Sequence, residues 1–167
     1  MQIKTIPSIA GFSGTILIPV FETNFNNIVP IEFDGISIPS KIFYGKKDSV
    51  YLIEKEDHIH VFIGLGKTID YPSLKTIFRR IASKQRDFLT QAVAIVIPES
   101  FSESLVEATV SGLFLGTYDL GHYKKKEGHP FESNDFVLSL SSATDYTELA
   151  KRAFKIANAQ IETLQLV

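Results

Sequence analysis

At 167 residues, 44% hydrophobic and 22% charged, the chain has the length of about one domain of roughly 100–200 residues and enough apolar surface for one core, which excludes a disordered polymer. Seventeen basic residues against nineteen acidic ones leave a formal charge of −2, so no overall field draws the chain to nucleic acid or an anionic membrane. With no cysteine, disulfides, a thiol nucleophile and thiolate metal sites are excluded, which fits a reducing cytoplasm.

The N-terminal MQIKTIPSIAG lacks the apolar core of a signal peptide, and no apolar run approaches the roughly 18 residues of a membrane span. The expectation is a cytoplasmic protein without a membrane partner. Thr15 to Phe21, TILIPVF, reads as a strand, bounded by Gly11 and Gly14 before it and the polar Thr23 to Asn27 after it. Pro19 cannot donate to a ladder and is expected at a bulge or an edge. From Asn26 to Lys47 the breakers Pro30, Asp34-Gly35, Pro39 and Gly45 predict short irregular pieces, with a turn at Gly45 to Asp48.

Ser49 to Glu54 and Ile59 to Leu65 form a predicted hairpin around Lys55 to Asp57, so the sheet is mixed. Asp70 is the predicted N-cap of a helix with Pro72 in its first turn. Leu74, Ile77, Phe78, Ile81 and Phe88 lie on one side of it, and Lys75, Arg79, Arg80, Lys84 and Arg86 on the other. Ala92 to Ile97 is a continuous apolar run of the kind covered on both faces, ended by Pro98.

Ser100 and Glu103 have capping-box spacing ahead of Val106, Val110, Leu113 and Phe114, a helix predicted to give way near Gly121. Gly112 and Gly116, four apart, predict close packing of that helix on the sheet. After a polar loop, Lys124 to Asn134, come a strand at Phe136 to Leu140 and a helix opened by Asp145 and Glu148, with Leu149, Ala153, Ile156, Ala157, Gln160 and Leu164 on one side. The apolar, uncapped end at Leu166-Val167 is read as a chain that continues. A hairpin and three strand-helix units give the order β, β, α, β, α, β, α, and with right-handed crossovers a three-layer α/β domain with helices on both faces.

No residue pattern completes a catalytic set. Gly66-Lys67-Thr68 ends like a phosphate-binding loop, but the required earlier glycine is Val61, and Gly64-Leu65-Gly66 meets Ile69 where a dinucleotide fingerprint needs its third glycine. What remains is a strand-to-helix turn of the kind that binds anions at a helix N-terminus. His58 and His60 share a strand face, acceptable for two metal ligands, but Asp57 points the other way and no third ligand is evident. The simpler reading is two exposed strand histidines. His122 and His129 are expected in solvent. Gly11-Phe12-Ser13-Gly14 fails as a nucleophile elbow because Thr15 stands where the glycine belongs. Lys124-Lys125-Lys126, with Tyr118 and Tyr123, read as a solvated loop rather than a phosphate-backbone contact.

Several pieces together resemble the N-terminal domain of the leucyl aminopeptidase family of di-metal exopeptidases. They are GTILIPVF, Phe43-Tyr44-Gly45-Lys46, the strand ending Gly64-Leu65-Gly66-Lys67, Glu107-Ala108 through Gly112-Leu113 to Tyr118, Tyr123-Lys124, Arg152-Ala153 and Ile156-Ala157-Asn158-Ala159. The resemblance runs over nearly the whole chain. It implies a macrodomain-like fold for residues 1–167 as a single non-catalytic N-terminal domain, with a C-terminal catalytic domain as partner. It also implies two divalent metals, zinc or manganese, bound in that other domain, a hexameric parent, and removal of N-terminal residues from peptides. The family's Asn-Thr-Asp-Ala-Glu-Gly box does not occur here, so no catalytic, cofactor-binding or metal residue is assigned.

The leading expectation is a non-catalytic domain supporting assembly of the parent enzyme and access to its active site. The alternative is a stand-alone macrodomain-like module for a nucleotide such as ADP-ribose, placed at the Gly64–Gly66 turn. DNA binding through Lys124–Lys126 or around Arg79, Arg80 and Lys84 rests on local charge alone.

Overall fold

In this computed structural model the described residues are 1–22, 29–119, 124–125 and 128–165. Thr23 to Asn27, Gly121, His122, Tyr123, Lys126 and the Leu166-Val167 end, all named above, lie wholly or mostly outside them.

β1 (Gln2–Ile6) and β2 (Gly14–Phe21) precede a small hairpin, β3 (Ile31–Phe33) and β4 (Ile36–Ile38). A second hairpin follows, β5 (Val50–Lys55) and β6 (His58–Gly66), then α1 (Tyr71–Lys84), β7 (Ala92–Val96) and α2 (Glu103–Leu115). The chain goes on through β8 (Tyr118–Asp119), β9 (Lys124–Lys125), β10 (Val137–Ser141) and α3 (Thr147–Gln165). One six-stranded sheet has the order β1-β10-β7-β2-β6-β5, parallel throughout except for β5 against β6. This is the α/β class, with the mixed, mostly parallel sheet and the three layers expected.

The expected hairpin turns more tightly than predicted: Lys55 pairs with His58, and only Glu56 and Asp57 connect them, Glu56 at φ 56°. β3–β4 was expected only as irregular chain. Its turn is Asp34-Gly35, both with positive φ (51° and 76°), the backbone of a two-residue hairpin turn whose twist matches its strands. β1 has no counterpart among the predicted strands; its QIKTI pairs only with β10 and buries chiefly Ile3. Pro19 meets its expectation, because pairing of β2 with β7 ends at Leu17 and a register shift follows between Val20 and Phe21.

The direction of the crossovers decides what covers each face. From β6 over to β7, and from β7 to β10, the chain steps the same way across a parallel sheet, so the right-handed rule sends α1 and α2 over the same face. α3 joins them. Leu74, Phe78, Val110, Leu113, Ala153 and Ile161 share one core with Leu17, Val61, Ile63, Val93 and Leu138.

The connections that step the other way close the opposite face. Ile16, Ile18 and Phe62 there pack with Ile36 and Ile38 of β3–β4, with Phe43, and with Ile9 and Phe12 from the segment between β1 and β2. The third layer is therefore extended chain, where helices on both faces were expected.

Because α1 and α2 lie side by side, Gly112 and Gly116 pack against a helix, not against the sheet. A Cβ on Gly112 would lie 2.4 Å from the Lys75 carbonyl oxygen, and one on Gly116 2.5 Å from that of Arg79. α2 is capped by Ser102, whose hydroxyl accepts from Leu105 N–H at 3.3 Å, two residues later than the Ser100 box predicted, and the helix ends at Leu115 with Gly116 as its C-cap. α3 is rotated relative to its predicted stripe. Ala150, Ala153, Ala157 and Ile161 are buried while Ile156 is 46% exposed, and the small residues let Phe154 stack edge-on against Phe114 at 4.6 Å. Phe88 falls in a 3-10 turn beyond α1, at the surface.

Gly→Ala in a helix interior ordinarily gains about 1 kcal/mol in propensity. At Gly112 the sign reverses, since the methyl meets backbone: G112A is expected to lose about 2 kcal/mol or more, read as a lowered urea midpoint at unchanged slope.

Candidate functional site

In an open parallel sheet, ligands bind beyond the carboxyl ends of the strands, where neighbouring strands send their connections to opposite faces. Here that place is the end of β2, between β7 and β6, and it contains the Gly64–Gly66 turn.

The chain fills this crevice with itself. Residues 45–49 lie across the ends of β2 and β6. Gly66 N–H donates to Gly45 C=O at 2.9 Å, Gly64 N–H to Ser49 C=O at 2.8 Å, Asp48 N–H to Gly64 C=O at 3.3 Å, and Glu22 N–H to Gly66 C=O at 2.8 Å. The glycines permit the approach. A Cβ on Gly64 would lie 1.9 Å from the Lys46 carbonyl oxygen, and one on Gly45, at φ 84°, 2.5 Å from that of Phe21. The turn resembles a phosphate loop because its glycines serve close backbone contact, but the backbone they admit is the chain's own.

The helix that follows is also closed at its N-terminus. Asp70 accepts from Ser73 N–H at 2.9 Å, and Lys47 Nζ donates to Ser73 Oγ at 3.4 Å. The bonds from the Ser73 backbone and hydroxyl hold the Asp70 carboxyl below its ordinary value of 3.8, with Lys47 adding to the effect. An anion arriving there would meet a carboxylate already in place. Asp145 is lowered in the same way by its bonds with Thr147 at the start of α3.

His60 is not an exposed strand residue. It is fully buried beneath the β3–β4 hairpin, with Nε2 3.1 Å from Asp34 Oδ2 and its ring stacked on Phe62 at 6.5 Å. His58 is half-buried with its ring 6.1 Å from that of His60, edge-on. The Nδ1 atoms of both are buried without a hydrogen-bond partner. Asp57 is exposed in the turn, and among the described residues no three His, Cys, Asp or Glu side chains converge on a point. A two-metal hydrolytic site needs several converging ligands and a bridging carboxylate; the residues here do not fit one. The His60–Asp34 contact instead ties the hairpin tip to the sheet.

His129 is likewise buried, 2% exposed. Its Nδ1 accepts from Phe131 N–H at 3.2 Å, so Nε2 carries the proton donated to the Ala82 carbonyl at 2.7 Å. Tyr118 is 2% exposed, which removes it from any stacking role beside the lysines; Lys124 and Lys125 form β9 against β8. Ser13 is exposed ahead of β2, with no helix following, and makes no nucleophile elbow. Arg80 and Lys84 are exposed on α1, and Arg80 lies 3.4 Å from Asp48. Asp34 and residues 45–49 are the functional-looking positions that sequence reasoning passed over. The Asp-Gly turn was the available signal for the first.

No protein-family model and no curated protein sequence matches this chain. Solved structures do. A tomato leucine aminopeptidase mutant superimposes with a TM-score of 0.64 at 15% identity, over 97% of this chain and 36% of its own. The bottromycin maturation enzyme BotP matches in two structures. The one in complex with Mn gives a TM-score of 0.55 at 11% identity, over 90% of this chain and 30% of that one. The other gives 0.59 at 11% identity, over 89% and 31%. The chain thus spans about a third of the length of these proteins.

Lowered folded-state values at Asp70 and Asp145 mean that both carboxylates contribute stability in full above 3.8 and lose it as the pH falls below that value through their lower folded ones. Urea midpoints of wild type and D70N/D145N are expected to converge as the pH is lowered from about 5 to about 2, because asparagine still caps but does not titrate. A difference that stays constant over this range would show that neither charge matters to folding. In architecture, then, this chain shares the fold of about a third of that tomato leucine aminopeptidase mutant.

Proposed function

We propose that this chain is the N-terminal, non-catalytic domain of a leucyl aminopeptidase-like metallopeptidase, its partner being a C-terminal catalytic domain that holds two divalent zinc or manganese ions. In this reading the domain supports assembly of a hexameric cytoplasmic parent and access of peptides to its active site.

The observation that carries the proposal is the lopsided coverage: nearly all of this chain superimposes on only about a third of a leucine aminopeptidase. The order of GTILIPVF, Phe43–Lys46 and the Gly64–Lys67 turn agrees with it.

A second reading, a stand-alone module for a nucleotide such as ADP-ribose, has the fold in its favour. Against it stands the crevice closed by residues 45–49, where the Gly64 and Gly66 N–H groups that would hold a phosphate already donate to Ser49 and Gly45.

The test is to assay the chain alone, and the same chain expressed with any coding frame that follows it, for hydrolysis of leucine p-nitroanilide in the presence of Mn²⁺ or Zn²⁺. The chain alone is expected to stay at the buffer rate and the longer product to turn over. Turnover by the 167 residues themselves would refute the non-catalytic assignment. Calorimetry with ADP-ribose at roughly millimolar concentration, where Kd corresponds to about −4 kcal/mol, is expected to give no binding heat; saturable heat would favour the second reading.

A further inference from the structure

β5 ends the sheet on one side, yet it has the composition of an interior strand. Val50 to Ile53 are apolar and half-buried, Val50 and Leu52 packing with the helix-side core and Tyr51 and Ile53 with the other. The strand has no proline, no irregularity in its register with β6 and no charge before Glu54. Those are the devices that usually guard an open edge.

The register fixes which backbone groups face outward. Gly64 N–H donates to Ser49 C=O, so residues 49 and 64 are a hydrogen-bonded pair, and the ladder alternates from there. Tyr51 and Ile53 turn their N–H and C=O toward β6, while Val50, Leu52 and Glu54 turn theirs to the open edge. Among the described residues no strand pairs with that edge.

These three residues are complementary to themselves. We infer that two copies of this chain associate through β5, antiparallel, about a twofold axis at Leu52. Leu52 then faces its own counterpart and Val50 faces Glu54, so the outward groups of all three pair in both directions, as an isologous contact requires.

Charge fits the same register. Beside Val50, on the helix side, is a cleft of about 190 Å³ floored by Ile63, Ile77 and Ile81 and rimmed by Arg80 and Lys84. Glu54 is exposed and in step with Val50 and Leu52, so it lies on that side too. In the pair, Glu54 of each copy meets the basic rim of the other. Arg80 already has Asp48 at 3.4 Å, which leaves Lys84 as the nearer match in charge. This pairing does not depend on the chain being a peptidase domain.

Sedimentation velocity at low salt, from roughly 5 to 500 µM, tests the pairing. The mass is expected to rise from 18.7 kDa toward twice that value, with hydrogen exchange slowing at the Val50, Leu52 and Glu54 amides as dimer forms. E54K and K84E, both at exposed positions, are each expected to weaken the dimer about tenfold, and E54K/K84E to recover most of the loss, a rescue that damaged folding does not produce. A monomer at every concentration overturns the inference, including one whose β5 amides are protected only by an added acidic peptide. So does a dimer that both single reversals leave unchanged, or a double variant as weak as either single one.

Discussion

The handedness of parallel crossovers constrains this molecule more than any single contact does. β2 is central, and the chain leaves it in one direction and returns in the other. Every connection toward β1 passes over the helix face, and every connection away from it passes over the opposite one. The helix face thus receives both crossover helices, which α3 joins, and the other face only short stretches: 7–13, the β3–β4 hairpin and 39–45. This second core is rich in rings. Phe33 and Phe43 both lie 6.3 Å from Phe62, and Tyr51 stacks on Phe43 at 6.2 Å. The same face takes a histidine at the position of His60, where the ring packs as an aromatic and Asp34 satisfies one nitrogen.

Close helix packing follows from the same constraint. Two crossovers over one face lay α1 and α2 side by side, and the sheet sets their spacing. Glycines at 112 and 116 let the backbones approach within what a side chain would occupy. The chemistry that pairs helices in membranes is at work here in a chain whose described helices include none long and apolar enough to cross one.

Much of this was legible in the sequence wherever periodicity was strong. The β5–β6 hairpin, the start of α1 with its Asp70 cap, and the apolar run of β7 stand in the structure within a residue or two of where the pattern puts them. The failures have local causes. β1 alternates correctly but is short and follows the start Met, so nothing marks it until β10 is present to pair with it. The Asp34-Gly35 turn carried a hairpin signal that the neighbouring prolines masked. α3 was misphased because its buried stripe is mostly alanine, which hydrophobicity ranks below the exposed Ile156. His60 and His129 were read as solvated because polarity alone does not reveal a partner. Asp34 lies 26 residues away from the first, and the Ala82 carbonyl 47 from the second. The three-layer class was readable; the face on which each helix sits required strand order, which local pattern does not contain.

The candidate site shows why glycine motifs mislead when read alone. A phosphate cradle and a tightly packed loop ask the same thing of the backbone: no Cβ, and N–H groups free to point at an oxygen. Between them the decision lies with whichever oxygen arrives, and here the carbonyls of Gly45 and Ser49 arrive from upstream in the same chain with no binding entropy to lose. A ligand for this crevice would first have to displace residues 45–49, breaking their bonds to Gly64 and Gly66 of β6. With this crevice closed from within, what the sheet leaves unpaired among the described residues is its two edges, β1 and β5.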